Sequence, residues 1–199
     1  MALVYIKGFV GNLGTKILIE NKYDELSKYF NAEFLKKILN DINGGVNPPL
    51  FMGGSSVSDS DIETDAANII VDRENITRGG LLTALWKICD RNKCGLRYTL
   101  SKVPILQGTI EISNYFDLNP YRLLTNNSEI LLVDDSIEAN DINKNVAYGS
   151  LIGHTTKDKK RVRIDNEIES FLTKDYKDEI DRIIPGFIKN YEKHSNSQK

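Results

Sequence analysis

Along the chain, short runs in which apolar and polar residues alternate are interleaved with runs in which apolar residues return every third or fourth position. Leu3-Val4-Tyr5-Ile6-Lys7 predicts a strand near the first residue. Gly8-Phe9-Val10-Gly11-Asn12-Leu13-Gly14-Thr15 follows as a glycine-rich turn into helical sequence. Ile17, Leu18, Tyr23, Leu26 and Phe30 fit one or two helical segments. Asn31-Ala32-Glu33 opens a fresh helix, with Phe34, Leu35, Ile38 and Leu39 on one face. The pattern dissolves from Asn43 to Asp65, where Gly, Pro and Ser predict a long loop. Ile69-Ile70-Val71 predicts a short strand.

Residues 79–91 give the clearest helix, because Leu81, Leu82, Leu85, Ile88 and Cys89 share one buried face and Thr77 offers a cap. Leu96 to Leu100 alternates as a strand, and Val103-Pro104-Ile105 is extended around its proline. Thr109 to Phe116 is helical, and Asn119-Pro120 opens another short helix. Glu129 to Val133 predicts a buried strand, and Ala147 to Ile152 another ending at Gly153. Arg161-Val162-Arg163-Ile164 predicts an edge hairpin strand, with Lys157-Asp158 near its turn. Asp175 to Asn190 is helical and interrupted by Pro185-Gly186, and Lys193 to Lys199 reads as a frayed, disordered tail. Strands interleaved with helices predict one layered α/β (α+β) domain over 1–192, with a mixed sheet covered by helices.

Composition narrows the classes of function. The chain has 199 residues, 40% of them hydrophobic, enough for one real core. Its net charge of −2, with acids and bases interspersed, argues against nucleic acid. The apolar residues at the start are interrupted by Lys7 and Gly8, short of a signal core. No apolar run approaches the roughly 18 residues that span a bilayer, so the expected setting is the cytoplasm. Cys89 and Cys94 lack the neighbours of a metal site and read as two small buried residues in a reducing compartment.

No complete set of catalytic or metal-binding residues emerges from the sequence. His154 reads as a turn residue at a strand end and His194 as a surface residue. Two glycine loops remain. Gly11, Gly14 and Thr15 follow a strand, either as an ordinary turn or as an anion seat. Asn75-Ile76-Thr77-Arg78-Gly79-Gly80 opens the best helix. Free amides, a hydroxyl and a guanidinium there make either a phosphate cradle or a simple cap with close helix packing.

The run from Ile76 to Ile88 resembles a signature of the C-terminal domain of the AIR synthase (PurM-like) superfamily. Lys102 to Ile105, Thr109 to Leu124, Ser128 to Val133 and Val4 to Thr15 are similar to further blocks of it. The likeness is greatest to the hydrogenase-maturation-factor-like clostridial branch. It covers roughly Leu3 to Ile42 and Arg73 to Leu172. Family members place ATP between an N-terminal domain, which supplies most magnesium-binding aspartates, and this one. Two departures concern the site. Asn75, a poorer and uncharged ligand for a hard cation, stands where relatives carry Asp, and Asn127 stands where they carry Gly.

The resemblance implies a C-terminal subunit or domain of an ATP-utilising protein, inactive alone. Asn75, Thr77, Arg78, Gly79 and Gly80 would face the phosphates, and Gly11, Gly14 and Thr15 would line the cleft. ATP and magnesium would be shared with an N-terminal AIR-synthase-like domain on another chain, with no cofactor held tightly by this one. The alternatives are a non-catalytic module that binds phosphate or a small molecule, and a homodimeric oligomerisation domain.

Overall fold

The computed structural model describes residues 1–44, 69–136, 149–174 and 177–196, with side chains as far as Tyr191. Most of the expected 43–65 loop, the first two residues of the expected 147–152 strand, the His194 side chain and residues 197–199 lie outside the described residues.

The strands are β1 (Ala2–Lys7), β2 (Ile70–Asn75), β3 (Gly95–Thr99), β4 (Glu129–Asp134), β5 (Gly149–Thr156), β6 (Arg161–Asp165) and β7 (Ile168–Phe171). The helices are α1 (Asn12–Asn21), α2 (Tyr23–Leu26), α3 (Ala32–Asn43), α4 (Gly80–Arg91), α5 (Gln107–Tyr115), α6 (Ile180–Ile183) and α7 (Phe187–Asn196). Single 3-10 turns lie at Leu100–Lys102 and Pro120–Arg122. The described strands form one seven-stranded sheet in the order β2-β4-β1-β5-β3-β6-β7. Neighbours run antiparallel except β3 and β6, which are parallel. This is the mixed α/β architecture that the interleaved pattern predicts.

Strand periodicity explains the layers. Val4, Ile6, Ile130 and Leu132 point to one face and pack with Leu81, Leu85 and Ile88 of α4. Tyr5, Leu131 and Val133 alternate to the other face and cluster with Leu3, Ile69 and Ile70. A further core joins α1, α3 and α5 to the C-terminal segment through Leu18, Leu35, Ile112, Ile180 and Ile188.

Several elements depart from the sequence reading. Helix α4 is capped by Gly79 in the left-handed region, φ 72°, with no side-chain cap. Thr77 contributes its carbonyl, which accepts the Gly80 N–H at 3.1 Å. Strand β2 runs on to Asn75 because its polar residues form a sheet edge and meet α4, where Arg91 binds Asp72 and Glu74. His154 lies inside β5, not in a turn, since Thr155 and Thr156 continue pairing with β3 and the Thr155 hydroxyl accepts the Ala2 N–H at 2.8 Å. Strand β6 is interior, and β7 is the edge on that side. The alternation of Arg161 and Arg163 suggested solvent, but the Arg161 guanidinium lies 3.9 Å from the centre of the Trp86 ring. Helix α7 continues to Asn196, past the expected fraying point.

Candidate functional site

Strands β2, β4 and β1 are neighbours, and their register places Asn75, Glu129 and Lys7 in one row at a common end of the sheet. Beyond that row the chain turns through Gly8, through Ile76-Thr77-Arg78 and through Leu124 to Ser128. These segments enclose a cavity of about 800 Å³, closed on another side by Ile188 and Tyr191 of α7. Among the described residues its lining carries two cationic side chains, Lys7 and Arg78, and one carboxylate, Glu129, which lies 3.7 Å from Arg73.

The walls are tied by main-chain bonds. The Ile76 N–H donates to the Ser128 carbonyl at 2.8 Å, and the Thr125 N–H to the Thr77 carbonyl at 3.4 Å. Behind the 124–128 wall stands the Gly11 turn. The Gly11 N–H donates to the Thr125 hydroxyl at 2.8 Å, and the Gly14 N–H to the Leu124 carbonyl at 2.7 Å. The Thr15 N–H and hydroxyl both donate to the Gly11 carbonyl, at 3.0 and 2.8 Å. Asn12 bridges to Asn126, accepting its N–H at 3.0 Å and donating to its carbonyl at 2.9 Å. Gly11, Gly14 and Thr15 therefore buttress the cavity wall with their own polar groups satisfied, and they do not line the cavity.

The second loop divides. Asn75, Thr77 and Arg78 are exposed and line the cavity. Gly79 and Gly80 are buried beneath it. The Gly79 N–H donates to the Asp178 carboxylate at 2.8 Å, and the Gly80 N–H is taken by Thr77. Asp178 also accepts the N–H groups of Leu124 at 3.2 Å and Ile180 at 3.1 Å. The chain's own carboxylate thus sits at the positive end of α4, where an external anion was expected. Burial pushes the Asp178 carboxyl above the usual range, and the three N–H donors work against that rise.

Two residues that matter here escaped the sequence reading. Lys7 is an ordinary strand-end lysine until the register sets it beside Glu129. Asp178 lies far along the chain from Gly79, and no spacing links them. Among the described residues no group of three or more His, Cys, Asp or Glu could hold a metal ion. Among them, too, no helix is long and apolar enough to cross a membrane.

No protein-family model matches this sequence, and no curated protein matches it. Solved structures do match in fold. Escherichia coli HypE superimposes with a TM-score of 0.61 at 14% identity, over 92% of this chain and 52% of that one. A hydrogenase maturation protein HypE in complex with ATP gives 0.57 at 15% identity, over 86% and 50%. Thiamine monophosphate kinase from Aquifex aeolicus gives 0.51 at 11%, over 85% and 51%. The chain has this PurM-like fold, as the resemblance implied, and spans about half the length of the solved proteins it matches. At these identities the likeness concerns fold.

Proposed function

We propose that this chain supplies one wall of a nucleotide-phosphate cleft, as the C-terminal domain or subunit of an AIR-synthase-like, ATP-utilising protein, and that an N-terminal AIR-synthase-like domain supplies the other. The observation that carries the reading is the cavity at the ends of β1, β2 and β4, with Lys7 and Arg78 in its lining. A polyphosphate needs cations and hydrogen-bond donors, and Thr77, Asn126, Asn127 and Ser128 add polar groups beside them. The complex of a HypE with ATP, which shares this fold, supports the choice of nucleotide.

Because Asp178 holds the Gly79 amide, recognition of charge falls to side chains at the cavity rim, not to the helix mouth. Lys7, Arg78, Thr77 and Asn75 are the binding residues on this reading. Among the described residues magnesium fits poorly here: Asn75 is an uncharged ligand and Glu129 faces Arg73. We assign the metal's carboxylates to the other domain.

Calorimetry tests the reading. ATP and ADP bind the wild-type chain, and Arg78→Ala weakens binding by about tenfold or more, as loss of a charge-assisted contact requires. Silence with every nucleotide, or equal affinity in the variant, refutes it. A second reading, a non-catalytic binding module, is favoured by Asp178 already neutralising the helix mouth. It predicts the same binding but no turnover gained on adding an N-terminal domain.

A further inference from the structure

Residues 177–191 make a strap that ties two walls of the cavity and forms a third. Asp178 reaches Gly79 in the α4 mouth and Leu124 in the opposite wall. The next residue, Glu179, is buried and paired with Arg122 at 3.0 Å and Arg182 at 2.7 Å, while its N–H donates to the Arg122 carbonyl at 3.3 Å. Ile180 and Ile188 are buried in the helical core, and Asp181 accepts the Ile188 N–H at 3.1 Å. Ile188 and Tyr191 then form the last wall of the cavity. Asp178 itself stays behind the cavity, so it acts through the segments it ties.

We propose that the strap is a clip that completes the cavity, that Asp178 is its latch and the positioning residue for the Thr77-Arg78 turn, and that ligand occupancy and strap docking are coupled. One carboxylate joins segments 76–80, 124–128 and 177–191: one oxygen accepts the Gly79 N–H, and the other accepts the N–H of Leu124 together with that of the strap's own Ile180, so replacing either oxygen removes a bond between walls. A ligand that touches Arg78 on one side and Tyr191 on the other binds the docked state more tightly. By linkage it holds the strap down by the same factor. The coupling rests on the nucleotide reading; the clip does not.

Hydrogen exchange on the full chain separates the two. In Asp178→Asn without nucleotide, the three segments exchange about tenfold faster or more, together, while β1 and β4 keep wild-type rates. Faster exchange confined to 177–180 overturns the clip, since Asp178 would then cap its own turn and nothing else. Should that variant fail to fold, native-state exchange of the wild type in low urea decides. One shared opening free energy and urea dependence for the three segments supports the clip, and separate openings overturn it. With ATP as probe, the wild-type strap gains protection and Asp178→Asn binds about fivefold more weakly or worse. Arg78→Ala loses affinity with the strap still protected. ATP binding with no change in strap exchange overturns the coupling. No ATP binding at all removes the nucleotide reading and the coupling with it, and leaves the clip to the exchange result.

Discussion

Two buried residues of α4, one in its first turn and one in its last, show how backbone and solvation decide what a side chain can do. Gly80 has φ +61°, and a Cβ there would stand 2.5 Å from the Tyr121 carbonyl oxygen and 2.9 Å from Arg122. Both the left-handed backbone and the close crossing need glycine. We expect Gly80→Ala to lose about 2–4 kcal/mol in denaturant unfolding, combining left-handed strain with overpacking. Cys89 is 1% exposed, and its thiol is pushed by burial, with Cys94 adding to the effect, from 9.0 up to about 12. The native state therefore favours the neutral thiol. Its contribution to stability is full below the unfolded value and is lost as the pH rises from about 9 toward about 12. Alkaline unfolding of Cys89→Ala should accordingly be less pH-dependent than that of the wild type over that window. In the native wild type, Cys89 should resist alkylation at pH 8, where Cys94, more accessible, is modified first. The glycine pair announces a special backbone in the sequence. That Gly79 meets a carboxylate 99 positions away does not show there, because hydrogen bonds between distant residues leave no local period.

Among the elements, α4 does most to place the site. Its N-terminus carries the Thr77-Arg78 turn, and its last turn is fastened to the β2 edge. Arg91 binds both Asp72 oxygens, at 2.9 and 3.0 Å, Glu74 at 2.7 Å and the Arg73 carbonyl at 2.8 Å. The hydrogen bond from Arg91 holds the Asp72 carboxyl below its usual range. That contribution is full above the unfolded value of 3.8 and is lost as the pH falls through the lower, folded one. The Arg91 side chain is 48% exposed, so solvent screening limits the whole clamp. We expect Arg91→Ala to cost about 1 kcal/mol at neutral pH and to flatten the acid limb of the unfolding curve below pH 4. Helix α4 was legible because it buries one regular stripe, and strands β1 and β4 because each is a nearly continuous apolar run buried on both faces. Strand β6 reads as an edge because alternation assigns Arg161 to solvent, whereas its guanidinium covers Trp86, and β7, the edge itself, does not read as a strand. The cavity was half legible: Asn75, Thr77 and Arg78 carry its motif, while Lys7 and Tyr191 join it by register and by the fold of the C-terminal segment.

At the scale of the molecule, the balance of charge in the cavity argues for division of labour. Phosphoryl transfer needs cations to hold the phosphates and carboxylates to hold the metal that bridges them. Among the described residues the lining offers Lys7 and Arg78 for the first task, and for the second a single carboxylate, Glu129, already facing Arg73. On the proposed reading, binding and turnover should therefore separate. The chain alone should bind ATP and hydrolyse none above background at any magnesium concentration. Mixed with an N-terminal AIR-synthase-like domain that carries the acidic ligands, it should co-purify as a complex and hydrolyse ATP. In that complex Arg78→Ala should lower kcat/KM by about tenfold or more, the loss expected when a charged contact to a phosphate is removed. Glu129→Gln should leave turnover within about twofold, because the metal's ligands would stand on the other domain. Hydrolysis by the chain alone, or its abolition by Glu129→Gln in the complex, would move the metal site onto this chain. The row of Asn75, Glu129 and Lys7 would then be catalytic in its own right.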